Sequence, residues 1–90
     1  MRYTWNLTKN ITNFAKHGIW FEAVFQFDWV TAMTETDCRR DYGEPRFRSF
    51  GMIDGQVFVL IHTPRRELIR VISLRRANRK EIVRYDAATR

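Results

Sequence analysis

The side chains best suited to proton transfer in this 90-residue chain are its two histidines, and one of them, His17, has a lysine immediately before it, Lys16. An imidazole titrates near neutrality, so it can take or give a proton at physiological pH. A neighbouring ammonium can stabilise an anionic phosphorane. A base, an acid and a cationic clamp suffice for metal-free cleavage of RNA through its 2′-hydroxyl. The same pair also fits a plainer role: two cations complementing the dipole at a helix C-terminus. His62 reads as a packed, hydrogen-bonded structural histidine. Glu44, held by Pro45 before Arg46, is a base or an ion-pair partner. Glu22 is an ordinary first-turn acid that is also in range to orient His17. No second cysteine accompanies Cys38 and no histidine pair is close in sequence, which argues against zinc. A Gly-rich phosphate loop and a serine nucleophile elbow are both missing. No cofactor is expected.

The charge points to a polyanion. Sixteen Lys+Arg stand against ten Asp+Glu, for a net charge of +6. The excess is confined to residues 39–90, and most of the cations are arginine. Arginine grips phosphate or carboxylate in bidentate fashion and stays charged when partly buried. A nucleic acid or an acidic protein is therefore the expected partner, against the bland reading of a solvated basic surface. Trp5, Trp20 and Trp29 lie in the N-terminal third, away from the arginines, and read as core or partner-interface residues. No apolar run is long enough for a membrane helix, and the N-terminus lacks the apolar stretch of a signal peptide. A soluble, cytoplasmic protein is expected.

The elements that must position these groups follow from pattern. Residues 3–6 read as a short strand. Thr8 caps a helix from Lys9, whose inward face is Ile11, Phe14 and Ala15, and Gly18 ends it. A second short helix covers residues 20–27, and a strand residues 30–36. Residues 37–44 form a polar loop. Asp54-Gly55 marks a two-residue hairpin that pairs Met52 with Val57, Phe50 with Val59, Arg48 with Ile61 and Phe47 with His62. The strand over residues 57–62 is apolar on both faces and so central. A turn over residues 64–67 leads to a last strand, residues 68–76. If Thr63 faces Leu68, then Ile61 faces Arg70 and Val59 faces Ile72, and Arg46, Arg48 and Arg70 gather at one end of one sheet face. Ile72 and Leu74 then share the other end of that face with Phe50. Three such guanidinium groups repel unless an anion sits among them or each has its own acid. Asn78 and Glu81 form a capping box for a final helix from Arg79 that packs Ile82 and Tyr85 inward. The fold class is α+β: one small domain, residues 1–90, with a mostly antiparallel sheet, two N-terminal helices and one C-terminal helix.

Several segments resemble the BrnT family of type II toxins. They are Trp5 with Lys9; Asn13-Phe14-Ala15-Lys16-His17-Gly18-Ile19 with Phe21-Glu22-Ala23; and the run Asp37-Cys38-Arg39-Arg40-Asp41-Tyr42-Gly43-Glu44-Pro45-Arg46. Asp54-Gly55-Gln56-Val57 and Ile69-Arg70-Val71-Ile72-Ser73 with Arg75-Arg76-Ala77 complete the likeness, followed by Glu81 and Tyr85. The chain departs from the family pattern at Asn6, usually Asp, and at Ala23, usually an acid. The resemblance implies a RelE-like fold and a metal-independent ribonuclease that blocks translation. It implies neutralisation by a BrnA-like antitoxin, with operator DNA bound only through that antitoxin. On this reading Lys16, His17, Glu44, Arg46, Arg70 and Arg75 are the candidate catalytic residues, and Lys9, Arg39, Arg48 and Arg76 contact RNA. The rival expectation is a non-catalytic basic module that binds nucleic acid or an acidic partner without cutting.

Overall fold

The computed structural model describes residues 2–90. Five strands form one sheet: β1 (Tyr3–Thr4), β2 (Met33–Thr36), β3 (Phe47–Ile53), β4 (Gln56–Arg65) and β5 (Leu68–Arg76). Their order across the sheet is β1-β5-β4-β3-β2, with β1 parallel to β5 and every other pair antiparallel. Helices α1 (Leu7–His17) and α2 (Arg79–Thr89) and a 3₁₀ helix, Phe21–Gln26, complete the α+β fold. The 3₁₀ segment stands where a second N-terminal helix is expected from sequence. Its tighter 3₁₀ winding is a form that short helical pieces commonly take. None of the described helices is long and apolar enough to cross a membrane.

The two sheet faces bury separate clusters. One is covered by the 3₁₀ helix and its flanks, where Phe21, Val24 and Phe27 pack on Phe58, Leu60, Val71 and Leu74. On the other face, Tyr85 of α2 packs with Phe50, Val57, Val59 and Ile61. The Asp54-Gly55 turn sets the β3–β4 register as expected, down to Phe47 opposite His62. Asp54 and Gly55 both take positive φ, at 53° and 79°, as a type I′ turn requires. Asn78 and Glu81 close the expected capping box on α2, with Tyr85 buried beneath it.

Two expectations about α1 are corrected. Asn6, not Thr8, is the N-cap, and its Oδ1 accepts from the Lys9 N–H at 3.0 Å. Asparagine and aspartate cap about equally well, so the departure at Asn6 leaves the helix start intact. The buried face of α1 is not Ile11 and Phe14, which are 54% and 40% exposed, but Asn10 and Asn13. Asn10 takes the Phe21 N–H on its Oδ1 (2.7 Å) and donates to Glu22 (2.8 Å), so Glu22 is committed to α1 rather than to His17. The Asn13 amide donates to the carbonyls of Leu74 (2.8 Å) and Ile19 (3.1 Å), and its oxygen accepts the Leu74 N–H (3.2 Å). β1 covers only Ile69 and Arg70 of β5. Further along, Asn13 supplies the hydrogen bonds that a neighbouring strand would have made.

The β4–β5 register also differs from expectation. β4 runs on through Pro64 and Arg65, so the two-residue loop is Arg66-Glu67, with Arg66 at φ 59°. Thr63 therefore faces Arg70 rather than Leu68. A bulge at Ile61/His62 then adds one residue on β5, so Ile61 faces Ser73, Leu60 faces Leu74 and Val59 faces Arg75. β2 is likewise shorter than expected, and Val30 lies in an exposed turn before it.

Candidate active site

α2 covers the Asp54-Gly55 end of its sheet face and leaves the Ile61–Ile72 end open. There a groove opens between the last turn of α1, β5 and the loop over residues 37–46. One cavity of 580 Å³ is floored by Ile61, Ile72 and Ser73 and walled by Lys16, His17, Arg46 and Arg75, with Arg39, Arg40 and Tyr42 from the loop. A second cavity, of 240 Å³, continues along α1 past Thr12 and Asn13 to Lys9 and shares Lys16, His17, Ile72 and Ser73 with the first. No carboxylate among the described residues lines either cavity.

Local structure explains why those groups converge. Gly18 caps α1 in the left-handed conformation (φ 71°), which ends the helix directly after His17. Asn13 fastens that last turn to β5 at Leu74, the residue before Arg75. Arg75 is held bidentately by Glu81 (2.8 and 2.9 Å), the same carboxylate that caps α2. This ion pair keeps the Glu81 carboxyl below its ordinary pKa. The loop is anchored by Asp37, buried and gripped by the Nε and Nη2 of Arg39 (2.8 and 2.9 Å), which brings its pKa down to about 2. The Tyr42 hydroxyl reaches the same carboxylate at 3.4 Å. The Arg46 guanidinium lies 4.0 Å from the Tyr42 ring centre and that of Arg40 5.0 Å.

His17 sits at the junction of the two cavities. Its pKa is lowered from the ordinary value, first by burial and then by the positive charges of Arg75 and Lys16. The sign is favourable for a base: a lowered pKa favours the neutral imidazole, the form able to accept a proton. The surrounding cations meanwhile favour any anion that forms beside it.

Of the ten residues singled out in the sequence, Lys16, His17, Arg46, Arg75 and Arg39 share the larger cavity, and Lys9 lies on its continuation. The other four stand outside. Arg70 lies beside β1, opposite Thr63 rather than Ile61, and lines neither cavity. Arg48 is committed to Glu35 at 2.6 Å, and Glu35 also holds Arg84 of α2 at 2.8 Å. Glu44 is engaged by Arg46 (3.5 Å) and Arg65 (3.8 Å). Arg76 is on the opposite sheet face, where it borders the far side of His17. His62 has the structural role expected of it: it is buried, hydrogen-bonded to Ser49 Oγ at 2.8 Å, and its pKa falls to about 4 through burial. Tyr42, Arg40 and Ser73 were not read from the sequence as site residues. For Tyr42 a signal existed, an aromatic amid the arginines of a polar loop.

A groove walled by arginine and lysine, with His17 at its centre and no carboxylate among its lining residues, marks a small protein suited to a polyanion. The sequence model of a family described as the ribonuclease toxin, BrnT, of type II toxin-antitoxin systems matches residues 5–81, and the chain belongs to that family. It is thus an enzyme, the ribonuclease toxin of a pair whose other member is an antitoxin. This membership disfavours the rival reading of a non-catalytic module. No curated protein sequence is matched.

Proposed function

We propose that the groove cleaves RNA internally without a metal ion, and that His17 is its base. The observation that carries this reading is the placement of His17, uncharged near neutrality, between Lys16 and Arg75 with Arg46 on the same cavity wall. His17 takes the proton of a ribose 2′-hydroxyl, and the 2′-oxygen attacks the adjacent phosphorus. Arg46 and Arg75 hold the phosphate oxygens as negative charge grows on them. The P–O5′ bond breaks and the 5′-oxygen leaves with a proton from the Lys16 ammonium. The products are a 2′,3′-cyclic phosphate and a 5′-hydroxyl, and solvent returns the proton from imidazolium to amine. Arg39 and Lys9 hold flanking phosphates. Arg48 and Arg76 contact RNA only outside the groove. Glu44 tunes Arg46 rather than moving a proton, and Arg70 serves the sheet edge.

In the cell this activity would act in the cytoplasm and block translation by destroying RNA. A BrnA-like antitoxin would silence it by presenting acidic side chains to the same arginines, and operator DNA would be bound through that antitoxin. The test is purified protein on a defined oligoribonucleotide in excess chelator. Products ending in a 2′,3′-cyclic phosphate are expected, falling by about 10²–10⁴-fold in His17→Ala, as for loss of a general base. Wild-type protein that binds RNA in a salt-sensitive way but leaves it whole would overturn the reading.

A further inference from the structure

The groove is chemically asymmetric about His17. Beyond the residues shared by both cavities, the arm along α1 contributes only Lys9, Thr12 and Asn13: a cation, a hydroxyl and an amide, with no aromatic ring. The Asn13 amide is already spent on Leu74 and Ile19. What remains, Lys9 and the Thr12 hydroxyl, can hold a phosphate or a ribose but has no flat surface for a base. Lys9 and Lys16 are seven residues apart, two helical turns or about 10 Å of rise, so they line one track along the helix.

The opposite arm is built differently. Tyr42 places an aromatic ring on the cavity wall with the guanidinium groups of Arg46 and Arg40 over it. Arg46 is partly buried and tied to Glu44, whereas Arg40 is exposed and, among the described residues, has no carboxylate partner. The Tyr42 hydroxyl also reaches the buried Asp37 at 3.4 Å. A nucleobase can therefore displace the exposed Arg40 guanidinium from the Tyr42 ring and stack there, and the freed Arg40 fork can then meet its acceptor edge. Of the base edges, that of guanine, with O6 and N7, best matches such a fork.

We infer that the two arms divide the work of substrate recognition: Tyr42 and Arg40 read a base on one side of the scissile bond, while Lys9 and Lys16 grip only backbone on the other. This rests on the proposed cleavage and adds its specificity determinant. The substrate class is single-stranded RNA, because a base that stacks on a side chain must be free of a helix.

The experiment is cleavage of a randomised single-stranded RNA pool, sequenced at the cut sites, for wild type, Tyr42→Ala, Tyr42→Phe, Arg40→Ala and Lys9→Ala, with each variant's unfolding temperature measured alongside. The expected wild-type pattern is a base preference of about tenfold or more on one side of the cut only, the size that one bidentate fork on a base edge supports once stacking has placed that base. Tyr42→Ala reduces it below about twofold, Tyr42→Phe keeps it, and Arg40→Ala lowers the share of guanine. Lys9→Ala slows cleavage of all sequences alike, leaves the pattern unchanged and reduces the salt slope of binding by about one. A preference that survives Tyr42→Ala, or that Lys9→Ala reshapes, overturns the division of labour while cleavage itself stands. A wild-type protein that cuts nothing overturns the proposed function instead.

Discussion

Replacing Asn13 with alanine tests the idea that one buried amide sets the distance between His17 and Arg75. Asn13 contributes three hydrogen bonds, two of them to the backbone of Leu74, which is fully buried. The substitution leaves the Leu74 N–H and C=O without partners at a sheet edge that β1 does not reach. Each such orphaned group costs about 1–3 kcal/mol. Ile19, nearer the surface, can turn to water. A loss of about 3 kcal/mol follows, which for a domain of this size lowers the unfolding temperature by roughly 12–24 °C. Thermal and urea unfolding measure it. The functional consequence is separate from stability. With the last turn of α1 unfastened, His17 moves away from Arg75 and into water. Both leading causes of its lowered pKa weaken, and the value rises toward that of a free imidazole. NMR titration of the imidazole protons at a temperature where the variant stays folded reads this directly. His62, on the opposite face with its own partner Ser49, is the internal control and stays near 4. An unfolding temperature lowered by less than about 3 °C, with an unmoved His17 titration, would refute the pin.

The remaining expectations concern stability. Gly51 lies in β3 beneath the Phe27 ring, with which any β-carbon there would collide. Gly51→Ala should therefore destabilise by about 1–3 kcal/mol, as overpacking does, and relief by Phe27→Leu in a double mutant is the check. His62 has a folded pKa of about 4 against an ordinary 6.5, so its neutral form is the one the fold favours. That contribution, about 3 kcal/mol, is complete above pH 6.5 and fades as pH falls toward 4. Urea midpoints measured across this window should fall for wild type and flatten in His62→Phe, whereas parallel curves would show that His62 does not titrate with unfolding.

Much of the architecture is legible from local signals because those signals act locally. The Asp54-Gly55 turn fixes seven cross-strand pairs by itself, and the Asn78–Glu81 box fixes the start of α2. The α1 helix is a failure of a different kind. Its most apolar residues trace a regular stripe, and periodicity sends such a stripe inward. Here the interior side is set by what β5 lacks. An exposed strand edge needs hydrogen-bonding groups rather than methyls, and Asn13 meets that need, with Asn10 holding the start of the 3₁₀ helix beside it, while Leu7 and Ile11 stay in solvent. No single-sequence pattern reveals which edge will be left without a partner.

The site was half legible for a related reason. Charge and residue type single out Lys16, His17 and Arg46, and the loop and the end of α1 deliver them to the groove. Which arginine of β5 joins them depends on a count of residues that the sequence does not display. The Arg66-Glu67 turn shifts β5 by two places, an even step that keeps side chains on their expected faces. The bulge at Ile61/His62 adds one more, an odd step, and every residue of β5 beyond it changes face. Leu74, expected on the groove side, is thereby turned into the core against Phe21 and Val24, and Arg75 is turned out beside Ile61 and His17. The same one-residue bulge that sends Leu74 into one hydrophobic cluster thus sends Arg75 to the groove, so core packing against the 3₁₀ helix and the delivery of an arginine to the groove are one structural event.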